Sequence, residues 1–231
     1  MTGTSGRTGT ASAHKIDLAA ALFCTLGAQL PHRAELEEEA AAMAASIGSR
    51  SGTLTKILEL CEGAETPQAL YLSAKACAWL GSGYRGRTVE LGARYLLGAP
   101  WDALPDGVAE EDGVRVDRRA AVRADLLRDM AQAELILGKT SDAHSHSMEA
   151  CRLEPHNAMN YVKAAEAVEK RSGIEEALRF LREQRKNLYY APVKYRDAGG
   201  RLCSNEVFRD QLNAAIRKLE LRSEGKHRAE D

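Results

Sequence analysis

The sequence predicts an all-α fold in which antiparallel helical hairpins stack in a single array. The chain of 231 residues is rich in the strong helix formers Ala, Leu, Glu and Arg, and only 5% of its residues are aromatic. Strands prefer aromatic and β-branched residues, which are scarce here. Apolar residues also recur at three- and four-residue spacing, and Gly-rich turns separate the segments that carry this pattern. Composition and periodicity together argue against a sheet-based fold.

The N-terminal part of the chain is predicted to contain a tail, a single helix and two hairpins. Residues 1–13 are mostly Gly, Thr and Ser, and such a segment buries too little to offset the entropy of ordering, so we expect a disordered tail. Apolar spacing predicts a helix over 15–26 and a hairpin over about 34–63. Thr66 and Pro67 suit a helix cap and a first turn, and they open a second hairpin over 67–98.

The C-terminal part is predicted to begin with a long loop. Residues 98–116 contain two prolines, three glycines and five acidic residues without a helical period. Two further hairpins follow over 117–154 and 158–188, and the helix over 205–221 has a charged outer face that suits a C-terminal cap. With a second disordered tail over 223–231, the predicted globular part is one domain over 14–222.

Small residues recur with a fixed period. Ala131, Ala143 and Ala150 are separated by twelve and then seven residues, and the same steps link Ala165, Ala177 and Gln184, and also Ala74, Gly86 and Ala93. Ala131 and Ala165 are 34 residues apart. Where two helices of a hairpin cross, a side chain larger than Ala would push the backbones apart. The period therefore marks repeated helix crossings.

The segment from Ala133 to Asn157 resembles the second two-thirds of a tetratricopeptide repeat, with Gly138 at the turn and Pro155 at the exit. Residues 69–100 look like a second copy, residues 161–188 like a third, and residues 34–66 like a degenerate fourth. Gly86 and Gln184 depart from the alanines of the family, and about 23 additional residues interrupt the array. The resemblance implies a right-handed tetratricopeptide-like solenoid, with helices 15–26 and 205–221 as terminal caps.

The resemblance also implies where a partner binds, because the first helix of each hairpin lines a concave groove in such proteins. On these first helices, the groove-facing side includes Gln68, Asp125, Asp129 and Met159, in addition to the predicted partner-binding residues given at the end of this paragraph. For Tyr71 and Trp79 a core position is the alternative to the groove. If the assignment is right, Tyr71→Ala and Arg128→Glu weaken partner binding and leave the melting temperature nearly unchanged. The predicted partner-binding residues are Tyr71, Lys75, Trp79, Arg128, Gln132, Val162, Lys163 and Glu166.

The predicted function is that of a non-catalytic scaffold or adaptor that binds a protein or peptide. Lys and Arg total 32 against 33 Asp and Glu, so no long-range field draws the chain to nucleic acid or to a membrane. No stretch has the length and hydropathy of a membrane span, and no secretory signal is present, so a cytoplasmic location is expected. A homo-oligomer is possible. The alternatives are a regulatory module, in which loop 98–116 or the terminal helix occupies the groove until a peptide or ligand displaces it, and an enzyme whose site the sequence hides.

Signals for chemistry are weak, and no catalytic residue, metal site or cofactor is predicted. His144 and His146 lie about 200° apart around a helix and cannot bind one metal ion from it. The remaining histidines, including His32, fall in loops or tails without thiol or carboxylate partners at ligand spacing. The five cysteines form no C-x-x-C pair and suit apolar core positions.

A cluster of aromatic and basic residues precedes the C-terminal helix. It can stack on single-stranded nucleic acid, or it can pack between the last hairpin and the cap, and the second use is the expected one. The cluster consists of Tyr189, Tyr190, Lys194, Tyr195 and Arg196.

Overall fold

The computed structural model describes residues 6–99, 101–104, 109–111, 114–187, 195–196 and 202–230. The chain forms two compact units, Met1–Leu104 and Pro105–Asp231, where a single domain over 14–222 was expected. The division falls within the predicted loop 98–116. Its first residues fold onto the N-terminal unit, and its later ones belong to the C-terminal unit.

The described residues of the N-terminal unit contain five α-helices. Short 3-10 turns, Ala34–Leu36 and Ser82–Tyr84, lead into the second and the fifth. The fourth and fifth helices pair as an antiparallel hairpin at the predicted place, 67–98. The second and third helices touch each other little, and the first helix packs against both of them. The helices are α1 (Gly6–Thr25), α2 (Glu37–Ile47), α3 (Arg50–Leu60), α4 (Pro67–Leu80) and α5 (Arg85–Leu97).

Helix α1 is the centre of the N-terminal unit rather than the polar-faced cap predicted over 15–26. All six residues from Leu18 to Phe23 are buried, at 4% exposure or less. Six consecutive residues cover more than one turn, so the helix is enclosed on every side. The helix also begins at Gly6, within the predicted tail 1–13. Ala11 and Ala13 are good helix formers and favour this extension.

Helix α4 shows how local signals place an element. The Thr66 hydroxyl accepts a hydrogen bond from the Ala69 N–H at 3.2 Å, and Pro67 occupies the first turn, as predicted. Residues 69–77 are all buried. Trp101 and Leu104, at 4% and 2% exposure, also belong to this core, although residues 98–116 were predicted to be a connecting loop only. Their large apolar side chains explain why this part of the loop folds back.

The C-terminal unit contains two hairpins, a long last helix and a small sheet. Its third and fourth strands precede the last helix. The first two helices of this unit form one hairpin, and its next two helices form a second hairpin. The last helix of the unit packs against both helices of the second hairpin. The elements are β1 (Ala109–Glu111), β2 (Val114–Val116), α6 (Arg118–Ile136), α7 (Thr140–Leu153), α8 (Ala158–Ser172), α9 (Ile174–Asn187), β3 (Tyr195–Arg196), β4 (Leu202–Cys203) and α10 (Asn205–Glu230).

The four strands found in the described ranges were not predicted. They form one sheet in the order β1-β2-β3-β4, in which β2 and β3 are parallel and the other pairs are antiparallel. Strands of two or three residues are too short to show a two-residue period in the sequence. Of the aromatic and basic cluster, Tyr195 and Arg196 form β3, and Tyr189, Tyr190 and Lys194 lie outside the described residues.

The predicted helical architecture is confirmed, with antiparallel hairpins α4–α5, α6–α7 and α8–α9, and the short sheet is its departure from an all-α fold. The alanines that carry the period in the C-terminal unit, at positions 131, 143, 150, 165 and 177, are all at 3% exposure or less. Gly138 ends α6 with φ of +79°, a conformation in which a side chain would be strained. In the N-terminal unit Ala74 is fully buried, but Gly86 is exposed, so that hairpin departs further from the pattern.

Helix α10 continues to Glu230, beyond the predicted 205–221 and into the predicted tail 223–231. The extension has a physical reason, because contacts continue past Leu221: the Ser223 hydroxyl donates to Glu175 Oε1 at 2.7 Å. Tyr161 meets Phe208 edge-on at 5.5 Å near the start of α8, and Arg222 pairs with Glu169 near its end, so α8 and α10 run in the same direction. Among the described helices none is both long and apolar enough to cross a bilayer.

Candidate partner-binding groove

The predicted partner-binding residues of the N-terminal unit lie largely in its core. Tyr71 and Lys75 are at 2% and 5% exposure, so neither side chain can meet a partner in this conformation, and the groove assignment of both is corrected. The Tyr71 ring lies 5.8 Å from that of Tyr95 and 5.9 Å from that of Trp101. Helix α4 is covered on this side because residues 101–104 fold over it.

Trp79 is half-buried in a mixed environment. Its ring centroid lies 4.8 Å from that of Phe23, and the Arg50 guanidinium lies 4.5 Å from it. Lys75 Nζ is 5.7 Å from the same ring. Two cations at this distance from an indole stabilise its position by cation–π attraction. Trp79 therefore packs between α1, α3 and α4. This matches the core position that the sequence offers as the alternative to the groove.

The remaining predicted residues lie in the C-terminal unit, and most of them share one surface of α6 and α8. Lys163 Nζ donates to Gln132 Oε1 at 3.1 Å and to Glu166 Oε1 at 2.9 Å. All three side chains are half-exposed, as is Val162. The packing of α6 against α8 thus brings Gln132, Val162, Lys163 and Glu166 together on a surface that a partner can reach.

Arg128 belongs to a buried polar network instead. Its side chain is only 14% exposed and pairs with Asp125, and its Nη1 donates to Asn160 Oδ1 at 2.6 Å and lies 3.8 Å from the fully buried carboxylate of Glu154. Asn160 Nδ2 in turn donates to the carbonyls of Ala150 and Glu154 at 3.0 and 3.1 Å. These hydrogen bonds satisfy carbonyl groups at the C-terminal end of α7. Arg128 therefore joins α6 to the α7–α8 junction, and its assignment as a partner contact is corrected.

An open groove of about 410 Å³ lies between α8 and α10. Its lining is mainly apolar, and it extends from the start of α8 to the ion pair near its end. Two of the predicted residues, Val162 and Glu166, line it, as does Met159 on the same face. The lining residues are Met159, Val162, Ala165, Glu166, Glu169, Leu181, Gln211, Ala214, Ala215, Lys218, Leu219 and Arg222.

Charged side chains border the groove on both sides. Arg222 forms two hydrogen bonds with Glu169, at 2.9 and 2.5 Å, and this pair closes one end. Glu166 is held by Lys163. Within the described part of the chain Lys218 has no ion-pair partner, and its side chain is exposed. The rim therefore offers one cation to a bound molecule.

The α10 side of this groove was missed by the sequence analysis. In the sequence, helix 205–221 has the pattern of a cap, because charged residues alternate with its apolar positions. Ala214 and Ala215 were the available signal, since two small residues between large apolar ones leave space beside a helix. Whether that space is filled depends on the neighbouring helix, which the sequence pattern does not specify.

Two constellations of titratable groups lie outside the groove. His146 Nδ1 donates to Glu134 Oε2 at 2.8 Å across the α6–α7 hairpin, and the Glu134 side chain is 2% exposed. In the N-terminal unit, His32 Nδ1 lies 3.5 Å from Cys24 Sγ, and its Nε2 lies 3.3 Å from Glu37 Oε1. The expectation that His32 lacks thiol and carboxylate neighbours is therefore wrong, because the turn after α1 returns the chain to Cys24.

The Cys24–His32–Glu37 arrangement does not suit nucleophilic catalysis. His32 Nδ1 is 2.8 Å from the Leu30 carbonyl, which can only accept, so this nitrogen carries a proton and cannot take one from the thiol. Burial raises the pKa of Cys24, with the nearby Glu37 charge adding to the effect, whereas a nucleophilic cysteine needs a lowered pKa. The geometry gives this site no activated thiolate.

Cys61, Cys77 and Cys151 are buried thiols. Burial raises the pKa of Cys61 and Cys151 to about 12 and that of Cys77 to about 11. Such thiols are unreactive and behave as small apolar residues. In the described ranges no three His, Cys, Asp or Glu side chains gather as metal ligands do.

The two histidines of α7 should give opposite pH dependences of stability. The hydrogen bond to Glu134 raises the pKa of His146 above its ordinary 6.5, although burial acts against this. Its stabilisation is therefore complete below pH 6.5 and is lost as pH rises through the raised pKa. Burial, aided by the charge of Arg171, lowers the pKa of His144, so that residue instead favours unfolding as pH falls.

We expect His146→Gln to destabilise the protein more at about pH 5.5 than at about pH 8.5, and His144→Gln to show the reverse trend. The measurement is urea unfolding followed by far-UV circular dichroism at both pH values. His144→Gln is the matched control, because it removes the same side chain from the same helix. Equal losses at the two pH values for His146→Gln would contradict the Glu134 interaction.

No protein-family model matches the chain, and no curated protein is significantly similar to it in sequence. Among solved structures, the chain is similar to the one described as "Crystal structure of MamA protein", with a TM-score of 0.46 and 10% sequence identity. That similarity covers 95% of this chain and 96% of the other. The function is therefore inferred from the contacts of this chain.

Proposed function

We propose that the protein is a non-catalytic scaffold that binds a segment of another protein in the groove between α8 and α10. The observation that carries the proposal is the groove itself: about 410 Å³, open to solvent, apolar along its floor and charged at its rim. Covering such apolar surface is favourable, and the charged rim restricts how a partner lies in it.

A protein partner suits this surface better than nucleic acid. Two of the three basic residues beside the groove, Lys163 and Arg222, are neutralised by Glu166 and Glu169. Nucleic-acid grooves instead present an excess of unpaired cations to the phosphates. The formal net charge of −1 points the same way. A cytoplasmic location, and the possibility that the partner is a second copy of the chain, are part of this proposal.

A regulatory module that binds a small molecule is the second candidate. The volume of the groove falls within the range of about 300–1,000 Å³ that is typical of small-molecule pockets. In a module of this kind α10 would move when the ligand binds, because it supplies one wall. A segment of a protein remains the preferred occupant, since the groove is open along its length rather than enclosed.

The test is selection from a phage-displayed library of 16-residue peptides on the full chain, followed by affinity measurements on variants. Ala214 lines the groove and is exposed, so Ala214→Arg should fill the groove without disturbing the core. We expect the selected peptides to bind this variant at least about tenfold more weakly, because the added side chain takes the place of one partner side chain.

Ala41→Arg is the matched control, since Ala41 is an exposed alanine within helix α2 of the other unit. Binding to this variant should stay within about twofold of the wild type, as expected for a surface change outside the interface. Selected peptides that bind Ala214→Arg as tightly as the wild type would overturn the assignment of the groove. Failure to recover any peptide would favour the small-molecule candidate.

A further inference from the structure

We propose that the segment bound in the α8–α10 groove is an amphipathic α-helix that places an acidic side chain beside Lys218. This inference rests on the proposed function and adds the conformation of the partner and the charge that its contact face carries.

The groove has the length of a short helix. On α8 its lining advances from Met159 to Glu169, and on α10 from Gln211 to Arg222. At 1.5 Å per residue these stretches are about 15–17 Å long, which corresponds to about three helical turns of a partner. Because α8 and α10 run in the same direction, they form two continuous parallel walls along this length.

The walls offer little to the backbone of an extended peptide. An extended segment needs hydrogen-bond partners for its N–H and C=O groups once water is displaced. Gln211 is the one uncharged polar side chain in the lining, and Asn160 on α8 is already committed to Arg128 and to two carbonyls. A helix satisfies its own backbone and needs only side-chain contacts, so this groove favours a helical partner.

The size of the lining side chains allows a helix to approach closely. Ala165, Ala214 and Ala215 face the groove, and Met159 and Val162 provide larger apolar contacts near its open end. Packed helices lie about 8–10 Å apart, and small residues at the contact permit the shorter distances. Apolar partner side chains at i, i+3 or i+4, and i+7 would follow the groove between these residues.

The charges of the groove define the acidic position. Glu166 is paired with Lys163 and Glu169 with Arg222, so a partner gains little by approaching either pair. Lys218 lines the groove between the levels of Ala214 and Arg222, and in the described part of the chain it forms no ion pair. A carboxylate on the partner can pair with Lys218 without breaking an existing contact. The partner helix should therefore carry Asp or Glu where it passes Lys218.

The experiment compares two phage-displayed libraries of 16-residue peptides on the full chain. One library fixes apolar residues at i, i+3, i+4 and i+7 and randomises the remaining positions, and the other has the same composition with proline at every fourth position, which prevents a helix. Each is selected on the wild type, on Lys218→Glu and on Arg217→Glu. Arg217 is the matched control, because it is an exposed cation that does not line the groove.

We expect only the helical library to yield binders whose binding Ala214→Arg abolishes, with Asp or Glu enriched at one position. Replacing that residue by Gln should weaken binding about two- to fivefold, as for an exposed ion pair. On Lys218→Glu the same position should select Lys or Arg, and on Arg217→Glu it should stay acidic.

Proline-containing peptides that bind in the groove, with their binding sensitive to Ala214→Arg, would overturn the helical partner and leave the proposed function standing. Helical binders whose charge preference is the same on the wild type and Lys218→Glu would overturn the acidic contact. If neither library yields a binder sensitive to Ala214→Arg, the inference and the proposed function fail together.

Discussion

Tyr71→Ala is expected to lower the free energy of unfolding of the N-terminal unit by about 3–5 kcal/mol, the usual loss when a large buried ring is reduced to a methyl group. Tyr71 is 2% exposed, and its ring contacts those of Tyr95 and Trp101. Removing it leaves a cavity between α4, α5 and residues 101–104. Since Trp101 loses its neighbour, the fold of residues 101–104 onto α4 should weaken as well.

Tryptophan fluorescence measures this loss in the N-terminal unit alone, because the two tryptophans of the chain, Trp79 and Trp101, both lie there. Urea unfolding should show the midpoint for Tyr71→Ala at a much lower concentration than that for the wild type. Leu97→Ala is the control, since Leu97 is 89% exposed and its loss should change stability by less than about 0.5 kcal/mol. Equal midpoints for Tyr71→Ala and Leu97→Ala would show that Tyr71 is not part of the core.

This expectation reverses the one that the sequence supports, namely weaker partner binding at unchanged stability. Local sequence is enough to place Tyr71 on the first helix of a hairpin. The resemblance to tetratricopeptide repeats then implies that its side chain faces an open groove. Whether the face is open depends on a segment about thirty residues later, where Trp101 and Leu104 return to cover it. No periodicity within the hairpin carries that information.

The hairpins α4–α5, α6–α7 and α8–α9 were predictable because their signals are local. Thr66 and Pro67 specify the start of α4 through a cap and a restricted φ, and the buried alanines of the C-terminal unit recur at the crossings of its helices. The central place of α1 was not predictable in the same way. Its run from Leu18 to Phe23 is apolar on all sides, but the apolar spacing alone suits either a terminal helix or an enclosed one.

Part of the α8 wall of the candidate groove could also be predicted. Val162 and Glu166 followed from the register of α8, whereas Ala214, Lys218 and Arg222 on α10 did not. A cap and a groove wall have the same sequence pattern, an apolar face against the last hairpin and charges elsewhere. The direction of α10 beside α8 decides between them, and it follows from the Tyr161–Phe208 and Glu169–Arg222 contacts.

Arg128→Glu is expected to destabilise the C-terminal unit by about 3–5 kcal/mol, the loss typical of removing one partner from a buried ion pair. The new carboxylate would lie among those of Asp125 and Glu154, and Asn160 would lose the cation that it contacts. Repulsion between carboxylates adds to the cost near neutral pH, so part of the loss should disappear at about pH 4, where carboxylates begin to take up protons. Partner binding is lost through unfolding rather than through a missing contact.

Far-UV circular dichroism measures this loss, and tryptophan fluorescence serves as an internal control, because it reports on the N-terminal unit. Arg152→Glu is the matched variant: its side chain is 73% exposed and pairs with Glu149 at the surface, so the same charge reversal should cost about 1 kcal/mol or less. We expect the dichroism midpoint in urea to fall sharply for Arg128→Glu and little for Arg152→Glu. A folded Arg128→Glu protein that fails to bind the selected peptides would instead return Arg128 to the partner surface.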